Sequence, residues 1–175
     1  MPVLVPLPSG ERIMVRPLGA ADRDAYVAAL DGLSAHSRYL RFAAPKPRFT
    51  RREIDYLTDV DGVNHVALVA MGAPGCQGIA VARYVRTDDG AAEVAVAVVD
   101  AWQGRGVGGT LTTLLLDHAR EAGVHALDAH VLTENHASLA LLHRFGFRPT
   151  GSDGLQRSYR LRLDAAHDGL GVVAA

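Results

Sequence analysis

An acidic residue at the head of an apolar run and a cluster of glycines beyond its tail are the features of this chain best suited to chemistry. Glu93 is followed by Val94-Ala-Val-Ala-Val-Val99. Past Asp100-Ala-Trp102 comes Gln103-Gly104-Arg105-Gly106-Val107-Gly108-Gly109-Thr110. The β-branched run predicts a strand, and the amphipathic segment reaching to about Gly123 predicts a helix behind the glycines. Glycines at a helix N-terminus leave backbone N–H groups uncovered where the helix dipole is positive, and that combination attracts phosphate. The turn therefore predicts a bound pyrophosphate.

Three phosphate-binding patterns compete for these glycines. Gly104-x-Gly106-x-x-Gly109 has dinucleotide spacing, and Asp128 lies at about the distance of the ribose-binding acid. That fingerprint belongs to a parallel strand–helix–strand unit. Here the strand-like runs at residues 66–71, 78–86 and 91–100 are joined by a Gly-Ala-Pro-Gly turn and a Thr-Asp-Asp-Gly turn. Connections that short hold no crossover helix, so these runs predict an antiparallel meander. The triphosphate-binding loop fails differently: Thr110 stands where its lysine must be, leaving the phosphate charge without a partner. The third pattern is Gln103-x-x-Gly106-x-Gly108.

The elements that must position these residues are legible on both sides. Residues 1–10 hold three prolines and read as an extended arm; residues 12–18 read as a first strand, with Pro17 tolerated only near its end. Residues 20–33 and 36–42 carry helical spacing, and Pro45 and Pro47 forbid continuation of the second helix. Thr50 with Glu53 forms a capping box for a third. After the glycine turn follow a helix, a strand near 126–132, a helix at about 136–145, and a final pair of strands ending near 163. The order predicts one α/β (α+β) domain over residues 11–164, with residues 165–175 as a flexible tail.

Composition narrows the class. With 175 residues, 49% hydrophobic, and formal net charge −1, the chain reads as one globular domain with no global argument for nucleic-acid binding. No apolar run approaches the ~18 residues of a membrane helix and the N-terminus lacks a signal pattern, so a cytoplasmic location without membrane association is expected. Cys76 is the single cysteine, expected as a half-buried thiol at a loop or strand start. The eight histidines do not cluster; His125 and His130 have odd separation on a strand and point to opposite faces, so no metal is expected.

Gln103-x-x-Gly106-x-Gly108 behind a meander resembles the acetyl-CoA-binding motif of the GNAT N-acetyltransferase superfamily. A second segment, Asn135-His-Ala-Ser-Leu-Ala-Leu-Leu-His-Arg-Phe-Gly146-Phe147, resembles that superfamily's other CoA-contacting stretch. The likeness covers residues 11–163. It implies a mixed, mostly antiparallel sheet of six to seven strands flanked by about four to five helices. It also implies that Gln103, Gly104, Arg105, Gly106, Val107, Gly108, Gly109 and Thr110 hold the CoA pyrophosphate. Val98 and Val99 would pair their backbone with the pantetheine arm, because the superfamily splays this strand from the next. Asn135 would bond the pantetheine amide or cap the helix after it.

A narrower likeness, in Ser37-Arg38-Tyr39-Leu40-Arg41-Phe42 with Pro45-Lys46-Pro47-Arg48, and again in Gly78 to Tyr84 and Glu93-Val94-Ala95-Val96, is to bacterial Pat-type protein lysine acetyltransferases. These acetylate acyl-CoA synthetases and other proteins, often with the catalytic domain fused to a nucleotide-binding or ligase-like domain. A protein lysine is thus the implied acceptor, with a small amine or a silent acyl-CoA-binding module as alternatives. The partners are acetyl-CoA and a protein or small amine, in a monomer or homodimer. A lysine ammonium has an ordinary pKa of about 10.4, so transfer near neutrality needs a base. Glu93 matches the glutamate assigned that role, and a half-buried setting would raise its pKa; the alternative is that it faces solvent at the strand's entrance.

A backbone N–H near Val98 or Val99 would polarise the thioester oxygen. The tyrosine that many members use to protonate the thiolate is replaced by Leu142, leaving His143 and Tyr159 as substitutes or no side-chain acid at all. Arg38, Arg41, Lys46, Arg48, Arg51 and Arg52 place six cations in fifteen residues without an acid. They form either a docking rim for an acidic surface or the CoA 3′-phosphate, or a solvated face with internal ion pairs.

Overall fold

The computed structural model describes residues 1–73 and 75–163, so the tail expected at 165–175 lies outside the described residues. The chain builds an eight-stranded sheet in the order β1-β2-β3-β4-β5-β6-β8-β7. Its strands are β1 (Val3–Pro6), β2 (Arg12–Pro17), β3 (His65–Gly72), β4 (Gln77–Arg86), β5 (Ala92–Val98), β6 (Ala126–Leu132), β7 (Arg148–Asp153) and β8 (Gln156–Arg162). Among the described residues five α-helices accompany them: α1 (Arg23–Asp31), α2 (Ala35–Phe42), α3 (Arg51–Thr58), α4 (Val107–Glu121) and α5 (His136–Arg144).

Every neighbouring pair is antiparallel except β5 with β6, and β3-β4-β5 is the expected meander. Parallel neighbours need a long crossover, which α4 supplies. The strand count exceeds the expected six to seven because the N-terminal segment, extended as its prolines suggest, pairs with β2 as an edge strand. Prolines fit there because an edge strand turns one row of N–H groups to solvent.

The central strands are covered on both faces, which is why they read as nearly continuous apolar runs. One face carries α4: Leu111, Leu115, Leu116 and Ala119 pack with Val66, Ala70, Ala82 and Tyr84. The other carries α1 and α3: Tyr26, Leu30, Ile54 and Leu57 cover Ala67, Val69 and Val81. The capping box of α3 forms as the sequence indicates, with Thr50 Oγ1 accepting from the Glu53 N–H at 3.3 Å and Glu53 Oε2 accepting from the Thr50 N–H at 2.8 Å. Cys76 is exposed in the turn before β4 rather than half-buried. Among the described residues no helix is long and apolar enough to cross a membrane.

One polar group interrupts the second core. Arg83, on the α1/α3 face of β4, is 3% exposed. Its Nη2 donates to Tyr26 Oη and to the Leu57 carbonyl, each at 3.0 Å, and its Nη1 lies 3.1 Å from His65 Nε2. A guanidinium only donates, so His65 must present Nε2 as an acceptor and remain neutral. Burial, and next the Arg83 charge, hold the His65 pKa below its ordinary value. The unfolded chain therefore takes up this proton first as pH falls. Stability from this contact is complete above the ordinary histidine value of about 6.5 and is lost as pH drops through and below it. Thermal unfolding followed from pH 7.5 to pH 5 is expected to show a falling Tm. His65→Gln, which keeps an acceptor and removes the titration, is expected to flatten that fall; an equal fall in both would contradict it.

Candidate active site

The site begins where β5 and β6 part. The two strands pair only at Ala92↔Leu127 and Glu93↔Asp128 and then diverge. On its other edge β5 stays paired with β4 up to Val98, and the Val99 N–H continues the ladder to Ile79 O at 2.9 Å. Bonding alternates along an antiparallel strand. Residues 93, 95, 97 and 99 therefore bond toward β4, and Val94, Val96 and Val98 turn their backbone groups toward β6. With β6 gone from their side, the N–H groups of Val96 and Val98 face an open cleft.

Val99 departs from the expected role. Its N–H serves Ile79 O and its carbonyl accepts from the Trp102 N–H at 2.9 Å, so both groups are engaged and cannot pair with pantetheine. Its side chain lies with α1, against Gly32. Strand parity is the reason: Val98 and Val99 cannot both face the same side.

The cleft, open to solvent, spans about 1860 Å³ between the start of α4, α2 and α5. The glycine turn forms one end. Gly104 and Gly106 adopt φ of 73° and 88°, a region costly for other residues. The α4 ladder opens with Thr110 N–H to Gly106 O at 3.0 Å. Val107, Gly108 and Gly109 thus supply the open N–H groups of the helix end, whereas the Thr110 N–H expected to hold phosphate is committed to the helix. The Val107 side chain is buried; only its backbone faces the site.

Gln103 Nε2 donates to Val98 O at 3.0 Å and to Ser37 Oγ at 3.3 Å, joining β5 to α2 across the mouth. Asn135 lines the cleft and caps α5, its Oδ1 accepting from the Ser138 N–H at 3.1 Å, which leaves its amide NH₂ free of that bond. Arg105 is exposed but already engaged: its Nη1 bonds Glu11 Oε1 at 2.6 Å and its guanidinium lies 5.0 Å from the Trp102 ring centre.

Two contributors escaped the sequence. The N-terminal hairpin brings Pro8 and Ser9 to the cleft, and Ser9 Oγ donates to the Arg105 carbonyl at 3.1 Å. Arg144, at the end of α5, also lines it, with Nη1 3.6 Å from where a Cβ on Gly109 would stand. No local pattern announces Pro8 and Ser9, which lie far from the glycines in sequence; Arg144 belongs to the stretch at residues 135–147 already likened to a CoA-contacting segment, where nothing singles it out.

Glu93 sits at the fork itself, on the face of β5 opposite Val94 and Val96. It is exposed, not half-buried, at a cavity of about 1210 Å³ lined by α2, α3 and the β4–β5 pair. Arg41 lines both this cavity and the cleft, marking where they meet. The Asp128 carboxylate is bound by Arg160 at 2.7 and 2.6 Å, which removes it as a ribose ligand. Leu142 is buried in the core; His143 is exposed and meets buried Tyr159 edge-on at 5.7 Å, and neither lines the cleft. In the basic segment Arg38 is structural, donating to Leu33 O and Pro47 O, Lys46 pairs with Glu53, and Arg51 approaches Asp55 at 3.9 Å. Among the described residues no cluster of three metal-ligating side chains occurs.

A sheet that opens beside a glycine-rich helix start, with free strand N–H groups between, is suited to a ligand that joins a phosphate to an amide-bearing arm, as an acyl-CoA does. Residues 27–147 match the model of the acetyltransferase (GNAT) family, whose cofactor is acetyl-CoA, and the chain belongs to that family. It is 37% identical over 149 residues to the acetyltransferase Pat of Mycolicibacterium smegmatis, covering 83% of this chain but only 44% of that relative. It is 28% identical over 162 residues to the acetyltransferase PA5475 of Pseudomonas aeruginosa, covering 90% and 87% of the two chains. The crystal structure of the GNAT domain of S. lividans PAT superposes with a TM-score of 0.86 at 31% identity, over 92% of this chain and 96% of that one.

The glycine turn makes a graded prediction. A Cβ on Gly106 would stand 2.6 Å from Pro8 Cδ, whereas one on Gly104 meets nothing within 4 Å. Both substitutions carry the left-handed backbone penalty of roughly 1–2 kcal/mol; Gly106→Ala also pushes the N-terminal hairpin off the turn. Calorimetric titration with CoA is expected to show a larger affinity loss for Gly106→Ala, at least about tenfold, than for Gly104→Ala. Equal losses would contradict the clamp.

Proposed function

We propose that the protein transfers the acetyl group of acetyl-CoA to the side-chain amine of a protein lysine, such as one on an acyl-CoA synthetase, with Glu93 as general base. The observation that carries this reading is the position of Glu93 at the fork, between the open strand edge on one side and the large cavity on the other. The similarity to Pat-type acetyltransferases supports the choice of acceptor.

Acetyl-CoA supplies an activated acyl group whose thiolate is a tolerable leaving group. The N–H groups at the start of α4 bind its pyrophosphate, and Asn135 bonds the pantetheine arm. Val96 and Val98 donate to the polar groups along that arm and to the thioester oxygen, where negative charge develops during attack. Glu93 takes the proton from the acceptor ammonium directly or through one water, leaving the nitrogen lone pair free to attack. Leu142 offers no proton, and His143 and Tyr159 stand off the cleft, so the thiolate departs without a side-chain acid. No step requires a metal.

Mass spectrometry of an acyl-CoA synthetase incubated with the protein and acetyl-CoA tests this reading. Lysine acetylation is expected with wild type, with kcat lowered about 10²–10⁴-fold by Glu93→Gln and CoA affinity retained. Turnover confined to small amines would overturn the acceptor. Glu93→Gln within threefold of wild type would overturn the base.

A further inference from the structure

The cavity beside Glu93 carries more positive charge than its own residues neutralise. Its charged lining residues are Arg41, Lys46, Arg52 and Arg83 against Glu53 and Glu93. Lys46 and Glu53 pair with each other, and the Glu53 carboxylate also accepts from Thr50. That leaves three guanidinium groups facing one carboxylate, and in the proposed reaction that carboxylate is occupied with the acceptor amine.

Two of the three are not ordinary solvated arginines. Arg83 is 3% exposed, its Nε has no hydrogen-bond partner, and every partner of its other nitrogens is neutral. Arg41 extends from α2 to the junction of the cavity and the CoA cleft. Its guanidinium carbon lies 5.0 Å from the Phe42 ring centre. Among the described residues neither Arg41 nor Arg83 has a carboxylate within ion-pair distance. Arg41 is half-buried where the cavity and the cleft meet, and that position strips water from its guanidinium. That desolvation pushes its pKa below the ordinary arginine value, and Arg83 pushes the same way against Tyr26 and Glu93. Desolvated charge without a partner is costly, and the cost falls when a ligand brings the missing anion.

We propose that Arg41, backed by Arg83, forms an anion subsite in the acceptor cavity, so that the preferred acceptor carries a carboxylate beside its reacting amine. The inference rests on Glu93 serving the acceptor amine; it adds what the acceptor must carry next to it. The carboxylate has two possible sources with one chemistry: an acidic side chain next to the acceptor lysine of a protein, or the α-carboxylate of a free amino acid.

The test compares two matched acceptor pairs: blocked peptides with lysine followed by glutamate or by glutamine, and L-lysine or L-lysinamide. Wild type is expected to prefer the carboxylate member of at least one pair by roughly tenfold in kcat/KM, about what one charge-assisted hydrogen bond supplies. Arg41→Met is expected to bring that ratio close to one, and Arg41→Lys to restore part of it. Reading the ratio cancels any effect of Arg41 on CoA binding, which both acceptors share. Preference within the peptide pair assigns the anion to a neighbouring acidic side chain; preference within the amino-acid pair alone assigns it to the α-carboxylate. Ratios near one in both pairs, or a ratio that survives Arg41→Met, would overturn the subsite. If no amine is acetylated, the catalytic reading falls by itself. The subsite is then judged by equilibrium binding of the Nε-acetylated forms of the two peptides to wild type and Arg41→Met, with the same ratios as criteria.

Discussion

The parting of β5 from β6 after two residue pairs is the constraint from which the site follows. Backbone N–H and C=O groups are obligatory hydrogen-bonding groups, and a sheet normally satisfies them strand by strand. Here the sheet stops satisfying them on one edge of β5, from Val96 onward, while the opposite edge remains fully laddered to β4. The result is a row of peptide groups held rigid by one neighbour and offered to a ligand by the absence of the other. An extended chain with its own amides can complete the row, and the pantetheine arm is such a chain. Val94, Val96 and Val98 give the row an apolar flank against α4, and Glu93 stands at its closed end.

Several distant segments keep the mouth of this opening in shape. The N-terminal hairpin reaches the glycine turn through Pro8, Ser9 and Glu11. Trp102 packs so closely on β3 that a Cβ on Gly72 would stand 2.6 Å from its ring, and Arg105 lies over the same indole. The turn is therefore braced from both sides before any ligand arrives, which lowers the ordering cost of binding. Gln103 plays a different part. By donating to Val98 O it satisfies in the free protein one of the carbonyls that the ligand arm would otherwise meet.

Local signals carried most of the fold. The meander, the capping box at Thr50, the glycine turn and the strand Ala126–Leu132 announce themselves through alternation, turn residues and caps, and these depend on few neighbours. Properties set by tertiary context did not announce themselves. Residues 1–10, with Pro2, Pro6 and Pro8, read only as an extended arm, yet β1 forms there as a sheet edge. Glu93 interrupts an apolar run, which suggested burial, but its face of β5 opens onto a cavity rather than a helix. Val98 and Val99 looked equivalent until the ladder to β4 fixed which one faces the cleft. Nothing in the sequence singles out Arg83; only the convergence of α1, α3 and β3 upon it shows a buried guanidinium.

The central claim is that β5 presents alternate backbone groups to the cofactor because β6 has left its side. Amide hydrogen exchange at Val96, Val98 and Val99, measured by NMR with and without CoA, tests it most directly. Slow exchange at Val99 in both states, with Val96 and Val98 exchanging fast in the free protein and slowing when CoA binds, is the predicted result. Protection of Val96 and Val98 before CoA is added, or CoA-dependent protection at Val99 in their place, would contradict it.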